Sequence, residues 1–283
     1  MFLPRLISFV IRTYNESAFI GRLFDTLDAQ SGGPFELDIT VVDSGSTDGT
    51  PAITRKRGVR LIEIPKASFH YSKALNLGIE NSLGDLLVVL SAHSIPCTND
   101  WLARMVSHFD DADVAGVFSR QVPWPGAYWR EVVRINRMFS ESPQVFAQGS
   151  SPQTIPFSNA ASCIRRSAWQ QHPFTLPAAE DIEWATWAVS SGHKIVYEVG
   201  SAVYHSHDET SRQAARRLIE LEKAADLQMS RERRFLLTAK QSLGAVVRDA
   251  GELRRYEPRL LSRLPLLWES ARRSYWFVRD FEG

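Results

Sequence analysis

Four small groups of polar side chains have the types and placement to act on a charged, activated substrate. Asp43 closes the β-branched run ITVV at 39–42 and opens the polar loop SGSTDGT, with Gly45 and Gly49 inside it. Ser91 and His93 close a second apolar run, DLLVVL at 85–90. Glu180 and Asp181 head a segment of helical character, and His205 follows a strand-like stretch ending at Tyr204. A buried strand that ends in an acid and a glycine-bearing loop is how an open α/β sheet presents a ligand site at its carboxyl edge. A carboxylate accepts hydrogen bonds from a base or ribose, and an imidazole can ligate a divalent metal or donate to phosphate. A carboxylate at a helix N-terminus is kept ionised by the dipole and can serve as a general base. Together these groups suit transfer of a moiety activated by a nucleotide diphosphate. Each also has a plainer reading. Asp43 and the serines after it can merely satisfy backbone groups, and Asp48 can cap the helix that begins near Pro51. Glu180 can be only a helix N-terminal charge, leaving Asp181 as the working acid. His207 is read as a structural hydrogen-bonder.

The elements that must position these groups follow from periodicity. Strands are predicted at 6–11, 35–42 and 58–64, separated by a helix at 17–29 with apolar residues at Phe19, Ile20, Leu23, Phe24 and Leu27, and by a short helix at 51–57. This β-α-β-α-β run implies a parallel sheet with right-handed crossovers. A helix at 72–82 then leads into the strand at 85–90, the most apolar short run in the chain. Beyond it come a helix at 101–109, a strand at 114–118, a loop at 119–125, and a helix at 129–139. Residues 140–156 have turn-forming composition and read as a mobile segment. A strand at 157–164, helices at 166–172 and 179–191, and strands at 194–199 and 202–204 follow. Beyond Asp208 the character changes, and a helical extension is expected at 211–283. In a parallel sheet the carboxyl ends of the strands face one crevice, so Asp43, His93 and His205 can converge although far apart in sequence.

Composition narrows the class. The 283 residues are 44% hydrophobic and 23% charged, ordinary for a soluble globular protein, with a formal charge of +1. No global basic field argues for nucleic acid. Cys97 and Cys163 are the only cysteines, too few for a disulfide framework or a zinc motif, and read as reduced thiols of a cytoplasmic protein. The N-terminal stretch is interrupted by Pro4, Arg5 and Arg12 and lacks the features of a signal peptide; no run approaches the about 20 apolar residues that span a bilayer. Membrane contact, if any, is expected to be peripheral.

Taken in series, VIRTYNE (10–16), VVDSGSTDGT (41–50), ALNLGI (74–79), LSAHSIP (90–96), AAEDIEWA (178–185) and VYHSH (203–207) resemble the family 2 glycosyltransferases of GT-A fold. The resemblance covers about residues 6–210, and RTYNE, FHYSKALNLGI, RQVPWP and SAHSIP are nearest the bacterial rhamnosyltransferase-like, surface-polysaccharide branch. It implies a Rossmann-like, mostly parallel sheet flanked by helices, with a nucleotide-binding half at 1–100 and an acceptor-binding half at 101–210, and inverting transfer of a hexosyl or deoxyhexosyl group. The donor implied is a UDP-, dTDP- or GDP-linked sugar, and the acceptor a glycan or lipid-linked glycan. Carried over position by position, Thr13 and Glu16 match the first nucleotide-contacting loop and Asp43 the acid that binds the base, with Ser44 beside it. Asp181, next to Glu180, matches the general base, and His205 the distal metal ligand.

The departures matter. Ser91-Ala92-His93 stands where the family has Asp-x-Asp. Ser91 can hydrogen-bond a ribose or a water. His93 can ligate manganese but suits magnesium poorly, so dependence on Mn2+ or Mg2+ is left open. Leu75 stands where an Arg is usual, which shifts the phosphate-binding charge to Lys73 or His70; the Pro usual in the first loop is Arg12. Arg120, Gln121, Trp124 and Asn159 are candidate sugar or acceptor contacts, Trp124 as a stacking surface, whereas Trp184 and Trp187 fit core packing.

Arginines among Leu, Trp and Phe after residue 211 admit two readings: a basic amphipathic surface on an anionic membrane, or packing against the catalytic domain or a second subunit. Rival functions are a non-catalytic nucleotide-sugar-binding or assembly subunit, motivated by the lost Asp-x-Asp, and a nucleotidyltransferase, for which RTYNE supplies no phosphate loop.

Overall fold

A computed structural model describes residues 5–127, 129–149 and 155–207. The expected helical extension at 211–283, with its arginines, lies outside the described residues. Residues 1–126 and 134–206 make up one compact unit, which carries the site; 127–133 and 207–283 are assigned to a second.

The leading run folds as the hydrophobic pattern requires: β1 (Arg5–Thr13), α1 (Ile20–Asp28), β2 (Phe35–Asp43), α2 (Thr50–Arg57) and β3 (Arg60–Glu63). Then come α3 (Tyr71–Glu80), β4 (Leu86–Ser91), the two-residue β5 (Ile95–Pro96) and α4 (Trp101–Ser107). β6 (Val114–Val122), α5 (Trp129–Met138), β7 (Gln144–Phe146), β8 (Ala161–Arg165), α6 (Arg166–Gln171), α7 (Glu180–Ser190) and β9 (Lys194–Tyr204) complete the described chain. One sheet runs in the order β3-β2-β1-β4-β8-β6-β9-β5, with β7 on β9. The halves expected at 1–100 and 101–210 therefore share a sheet.

Alternation along the strands builds two cores. Ile7, Phe9 and Ile11 of β1, with Leu86, Val88 and Leu90 of β4, meet Leu23, Phe24 and Leu27 of α1 and Trp101 and Met105 of α4 on one face. Val10, Leu87 and Val89 meet Leu75 and Ile79 of α3 and Trp184 of α7 on the other. Trp184 is fully buried, as core packing requires.

The sheet is mostly parallel in strand direction, as expected, with β8 running antiparallel to both β4 and β6. Four expectations need correction. The loop expected at 119–125 is strand as far as Val122, because Arg120, Gln121 and Val122 pair with Ala202, Val203 and Tyr204. Opposite them the two short strands at 194–204 are one, the register shift between Ser119 and Arg120 absorbing residues 199–201. The strand expected from 157 begins at Ala161; Ala161 N–H bonds the Ser158 carbonyl, so 158–161 form a turn. Within 140–156, β7 pairs with Ile195, Val196 and Tyr197.

The mixed sheet still delivers one functional edge. β1, β2, β4, β6 and β9 all run the same way, so their carboxyl ends share an edge. The antiparallel β8 presents its start there instead, which brings the 158–161 turn to the same edge.

Candidate active site

The loops after β1 and β2 are stapled together. Asn15 N–H donates to Ser46 Oγ at 2.7 Å, Glu16 N–H to Thr50 Oγ1 at 2.8 Å, and Ser17 N–H to Asp48 Oδ2 at 3.0 Å. Thr47 N–H returns a bond to Asn15 Oδ1 at 2.8 Å. The helix α1 begins at Ile20, where the Phe19 and Ile20 amides both bond the Glu16 carbonyl. Much of SGSTDGT is thus spent on backbone groups. Partial desolvation works against Asp48, yet bonds from Thr50 and Ser17 hold its carboxyl well below the ordinary range. Gly49, not Asp48, is the N-cap of α2, while Asp48 Oδ1 accepts the Thr50 N–H.

Asp43 is 1% exposed, and both its oxygens take hydrogen bonds from Ser46. Ser44 is buried and donates through N–H and Oγ to the Thr13 carbonyl. Thr13 Oγ1 is buried with no hydrogen-bond partner among the described residues, an unspent polar atom beside the loop.

From this loop the network passes to the end of β4. Glu16 Oε1 lies 2.7 Å from His93 Nδ1, and Ser91 Oγ is 3.3 Å from the same nitrogen. His93 stacks on His205, with ring centroids 4.9 Å apart and planes 9° from parallel. His205 is buried, and its Nδ1 lies 2.7 Å from Gln121 Oε1, while Gln121 Nε2 donates to Ser158 Oγ at 2.9 Å. With the Gln121 amide turned this way, His205 Nδ1–H donates and Nε2 keeps its lone pair. Gln121 therefore orients His205, a role not legible locally because the two are 84 residues apart.

Whether a divalent metal fits here is a question of donor chemistry. His93 and His205 ring nitrogens lie within 4.8 Å of each other. In a parallel stack the lone pairs point side by side, so a modest ring tilt is needed to converge on one ion. Two imidazoles beside a carboxylate, Glu16, suit manganese or a softer ion better than magnesium. The residues fit a metal on those terms. The backbone N–H of His207 donates to Glu131 Oε1 at 3.2 Å.

The acidic pair is reached through the 158–161 turn. Ser91 N–H donates to the Ala160 carbonyl at 3.1 Å, Asn159 N–H to Asp181 Oδ2 at 3.2 Å, and Asn159 Nδ2 to Glu180 Oε1 at 3.3 Å. Asp43, His93 and Asp181 are thus joined along one edge of one sheet. Glu180 is 3% exposed, whereas Asp181 is half-buried. Burial, then the charge of Asp181, push Glu180 up to about 7, against the pull of Arg12. Burial also raises Asp181, opposed by the Asn159 and Ile182 amides and by Arg12. A raised carboxylate is a stronger base near neutral pH. Ala179 and Asn15, the non-glycine residues with left-handed backbone among those described, each precede a site acid, Glu180 and Glu16. Strain of this kind clusters at working sites.

Other expected contacts are placed differently. Trp124 is partly buried: its ring stacks on Tyr204 at 5.0 Å, Arg22 lies 5.0 Å over it, and Phe19 packs at 5.7 Å. Arg120 donates to Glu141 at 2.8 Å. Asn159 is fully buried and serves the acids. Lys73 is exposed on the first turn of α3. His70 is the N-cap residue of α3, but its side chain makes no capping bond. Leu75 is fully buried. Cys163 is fully buried, and burial pushes the Cys97 thiol up to about 11, so neither is a nucleophile. Among the described residues no helix is long and apolar enough to cross a membrane. Sequence reading missed Arg12 as a charge acting on the acidic pair; its place directly after the first apolar strand run was the available signal.

Residues 8–171 match the family model described as Glycosyl transferase family 2. The O-antigen chain rhamnosyltransferase RfbN of Salmonella typhimurium is 27% identical over 220 residues, 75% of this chain and 69% of that protein. WbaN of Salmonella anatum, also an O-antigen chain rhamnosyltransferase, is 27% identical over 217 residues, 74% and 68% of the two chains. Among solved structures, the mannosyltransferase PcManGT from Pyrobaculum calidifontis, in complex with GDP-Man and Mn2+, superposes with a TM-score of 0.58 at 19% identity, covering 100% of this chain and 74% of that one. TarS residues 1–349 of S. aureus, in complex with UDP-GlcNAc, gives 0.57 at 14% identity, covering 98% and 90%.

Proposed function

This chain belongs to the family 2 glycosyltransferases and has their GT-A fold, and from that premise we propose that it adds a deoxyhexosyl or hexosyl unit to a growing bacterial surface polysaccharide. The likeness to two O-antigen rhamnosyltransferases supports a rhamnosyl donor on dTDP, with GDP- and UDP-sugars as the other donors to test. The acceptor is a glycan, free or lipid-linked.

The observation that carries the reading is the shared edge: a half-buried Asp181 with a raised carboxyl lies on the hydrogen-bonded edge that also holds the loop of Asp43 and the paired His93 and His205. Asp181 takes the proton from the acceptor hydroxyl as that oxygen attacks the anomeric carbon. The bond from that carbon to the diphosphate breaks on the opposite face, and the configuration inverts. Asn159 holds both acids in place, so only Asp181 turns to the acceptor. Thr13, Glu16, Asp43, Ser44 and Ser91 line the edge where the nucleotide binds, and Lys73 lends charge to the phosphates. A divalent ion held by His93 and His205 would neutralise the leaving diphosphate. Gln121 fixes the tautomer that leaves His205 Nε2 able to ligate.

The test is a thermal-shift panel of dTDP-rhamnose, GDP-mannose, UDP-glucose and UDP-GlcNAc, with Mn2+ and with chelator, followed by nucleotide-release assays of wild type and Asp181→Asn. A donor that raises the melting temperature, with release falling about 10²–10⁴-fold in the variant, supports the proposal. Undiminished release in Asp181→Asn removes Asp181 from the role of base.

A further inference from the structure

Arg12 is the penultimate residue of β1, paired with Val42 on one side and Ser91 on the other. The next residue, Thr13, pairs with Asp43, and the Arg12 carbonyl accepts the Ala92 N–H at 3.1 Å. Arg12 therefore stands at the carboxyl edge of the sheet, between the loop of Asp43 and the Ser91-Ala92-His93 segment. Side chains alternate along a strand, so Arg12 leaves β1 on the same face as Val10. That face is covered by α3, whose Gly78 comes so close to Val10 that an added Cβ would sit 2.4 Å from Val10 Cγ1. About two turns back along α3 is Tyr71, its first residue, and the Arg12 guanidinium lies 4.7 Å over the Tyr71 ring.

The ring stack fixes the guanidinium but leaves its donors unspent. Among the described residues it makes no hydrogen bond or ion pair, and its Nε is buried without a partner. A guanidinium carries its N–H donors in a planar fork, and leaving them unpaired in a partly buried place is costly. The fork also lies at the positive end of the α3 dipole, where the first turn holds no acid and the His70 side chain makes no capping bond. Glu180 and Asp181 feel its charge without pairing with it. Leu75, one turn after Tyr71 on the same face of α3, is fully buried, so the positive side chain on that face comes from β1. A cation beside a helix N-terminus is a repulsive arrangement for the protein alone and an attractive one for an anion with several acceptor oxygens.

We infer that Arg12 binds the diphosphate of the nucleotide-sugar donor, its fork taking phosphate oxygens at the N-terminal end of α3 while Tyr71 holds its plane. This rests on the proposed function, in which the edge from Asp43 to His93 takes a nucleoside diphosphate. The order along that edge agrees with the order of the ligand: Asp43 lies on one side of Arg12, and the segment that faces the leaving group lies on the other. Arginine stays charged throughout the working pH range, so this contact is always available to the diphosphate.

The test uses full-length protein with dTDP, UDP and GDP, and with thymidine, uridine and guanosine. Diphosphates are followed by titration calorimetry and nucleosides by ligand-detected NMR. Both series are run with Mn2+ and with EDTA, and read in the condition that gives wild type the tighter binding. Arg12→Gln should weaken the best diphosphate about 10–100-fold, the loss of hydrogen bonds to a charged partner, while its nucleoside changes by less than about twofold. An unchanged diphosphate affinity in folded Arg12→Gln overturns the inference. An equal loss for nucleoside and diphosphate overturns it as well, because it marks a general disturbance of the site. Should Arg12→Gln not fold, Tyr71→Leu, at a 39% exposed position, must show the same selective loss, and unchanged diphosphate binding there is equally decisive against it. A wild type that binds none of the three diphosphates in either condition removes the proposed function itself; diphosphate binding that ignores Arg12 removes only this inference.

Discussion

Replacing Glu180 with glutamine separates the buried acid from the half-buried one. Glu180 is 3% exposed and accepts the Asn159 amide at 3.3 Å. Burial and the charge of Asp181 push it from 4.5 to about 7. The folded protein thus binds this proton more tightly than the unfolded chain. Its contribution to stability is full below 4.5 and is lost as pH rises through about 7. At about 1.4 kcal/mol per pH unit, that span is worth about 3 kcal/mol, a ceiling because Asp181 takes up part of the proton that Glu180 releases. Glutamine is neutral throughout and its amide oxygen can still accept from Asn159. Glu180→Gln should therefore gain on wild type between pH 5 and pH 8 by up to about 3 kcal/mol, or about 6–12 °C in Tm. Thermal unfolding of both proteins at pH 5, 6, 7 and 8 reads this difference directly, and acid effects elsewhere cancel. Parallel Tm curves would refute the burial of a raised acid at 180. The same variant should keep nucleotide release within about tenfold of wild type, since the group that meets the acceptor is Asp181.

Three further outcomes are expected. Gly78 lies where an added Cβ would sit 2.4 Å from Val10 Cγ1 and 3.0 Å from Val42 Cγ2; Gly78→Ala should cost about 1–3 kcal/mol, read as a lower urea midpoint, and an unchanged midpoint would mean α3 does not press on the sheet there. Gln121→Leu removes the acceptor that orients His205, so Mn2+ affinity, followed by electron paramagnetic resonance, should fall about 10–100-fold; wild-type affinity would detach Gln121 from any metal role. Asp48 is held well below its ordinary value of 3.8 despite opposing desolvation, so its contribution is full above that value and declines as pH falls towards the depressed folded value; Asp48→Asn should be less stable than wild type above pH 4, with the gap narrowing steadily as pH falls from 4 to 2, checked by acid unfolding.

Element type was written locally. DLLVVL at 85–90 reads as a central strand, being short and rich in Leu and Val, and Leu23, Phe24 and Leu27 recur at a helical spacing that matches the face α1 buries. The motif series was legible for the same reason, since each motif is a short segment whose chemistry sits within ten residues. The order of strands was not. β8 slips antiparallel between β4 and β6, and that choice turns the predicted strand start at 157–160 into the turn that carries Asn159 to both acids. Pairing with β9 likewise made strand of Arg120 and Gln121, whose polarity reads as loop.

By itself, then, the sequence determined which residues end strands and head helices, because burial periodicity and turn chemistry act over a few residues. Long-range packing alone set Gln121 on His205, Trp124 against Arg22 and Tyr204, and the charge of Arg12 where it acts on Glu180 and Asp181. Those relations join residues up to 169 positions apart. They depend on which strands lie side by side, a collective outcome of packing two hydrophobic faces that no local window contains.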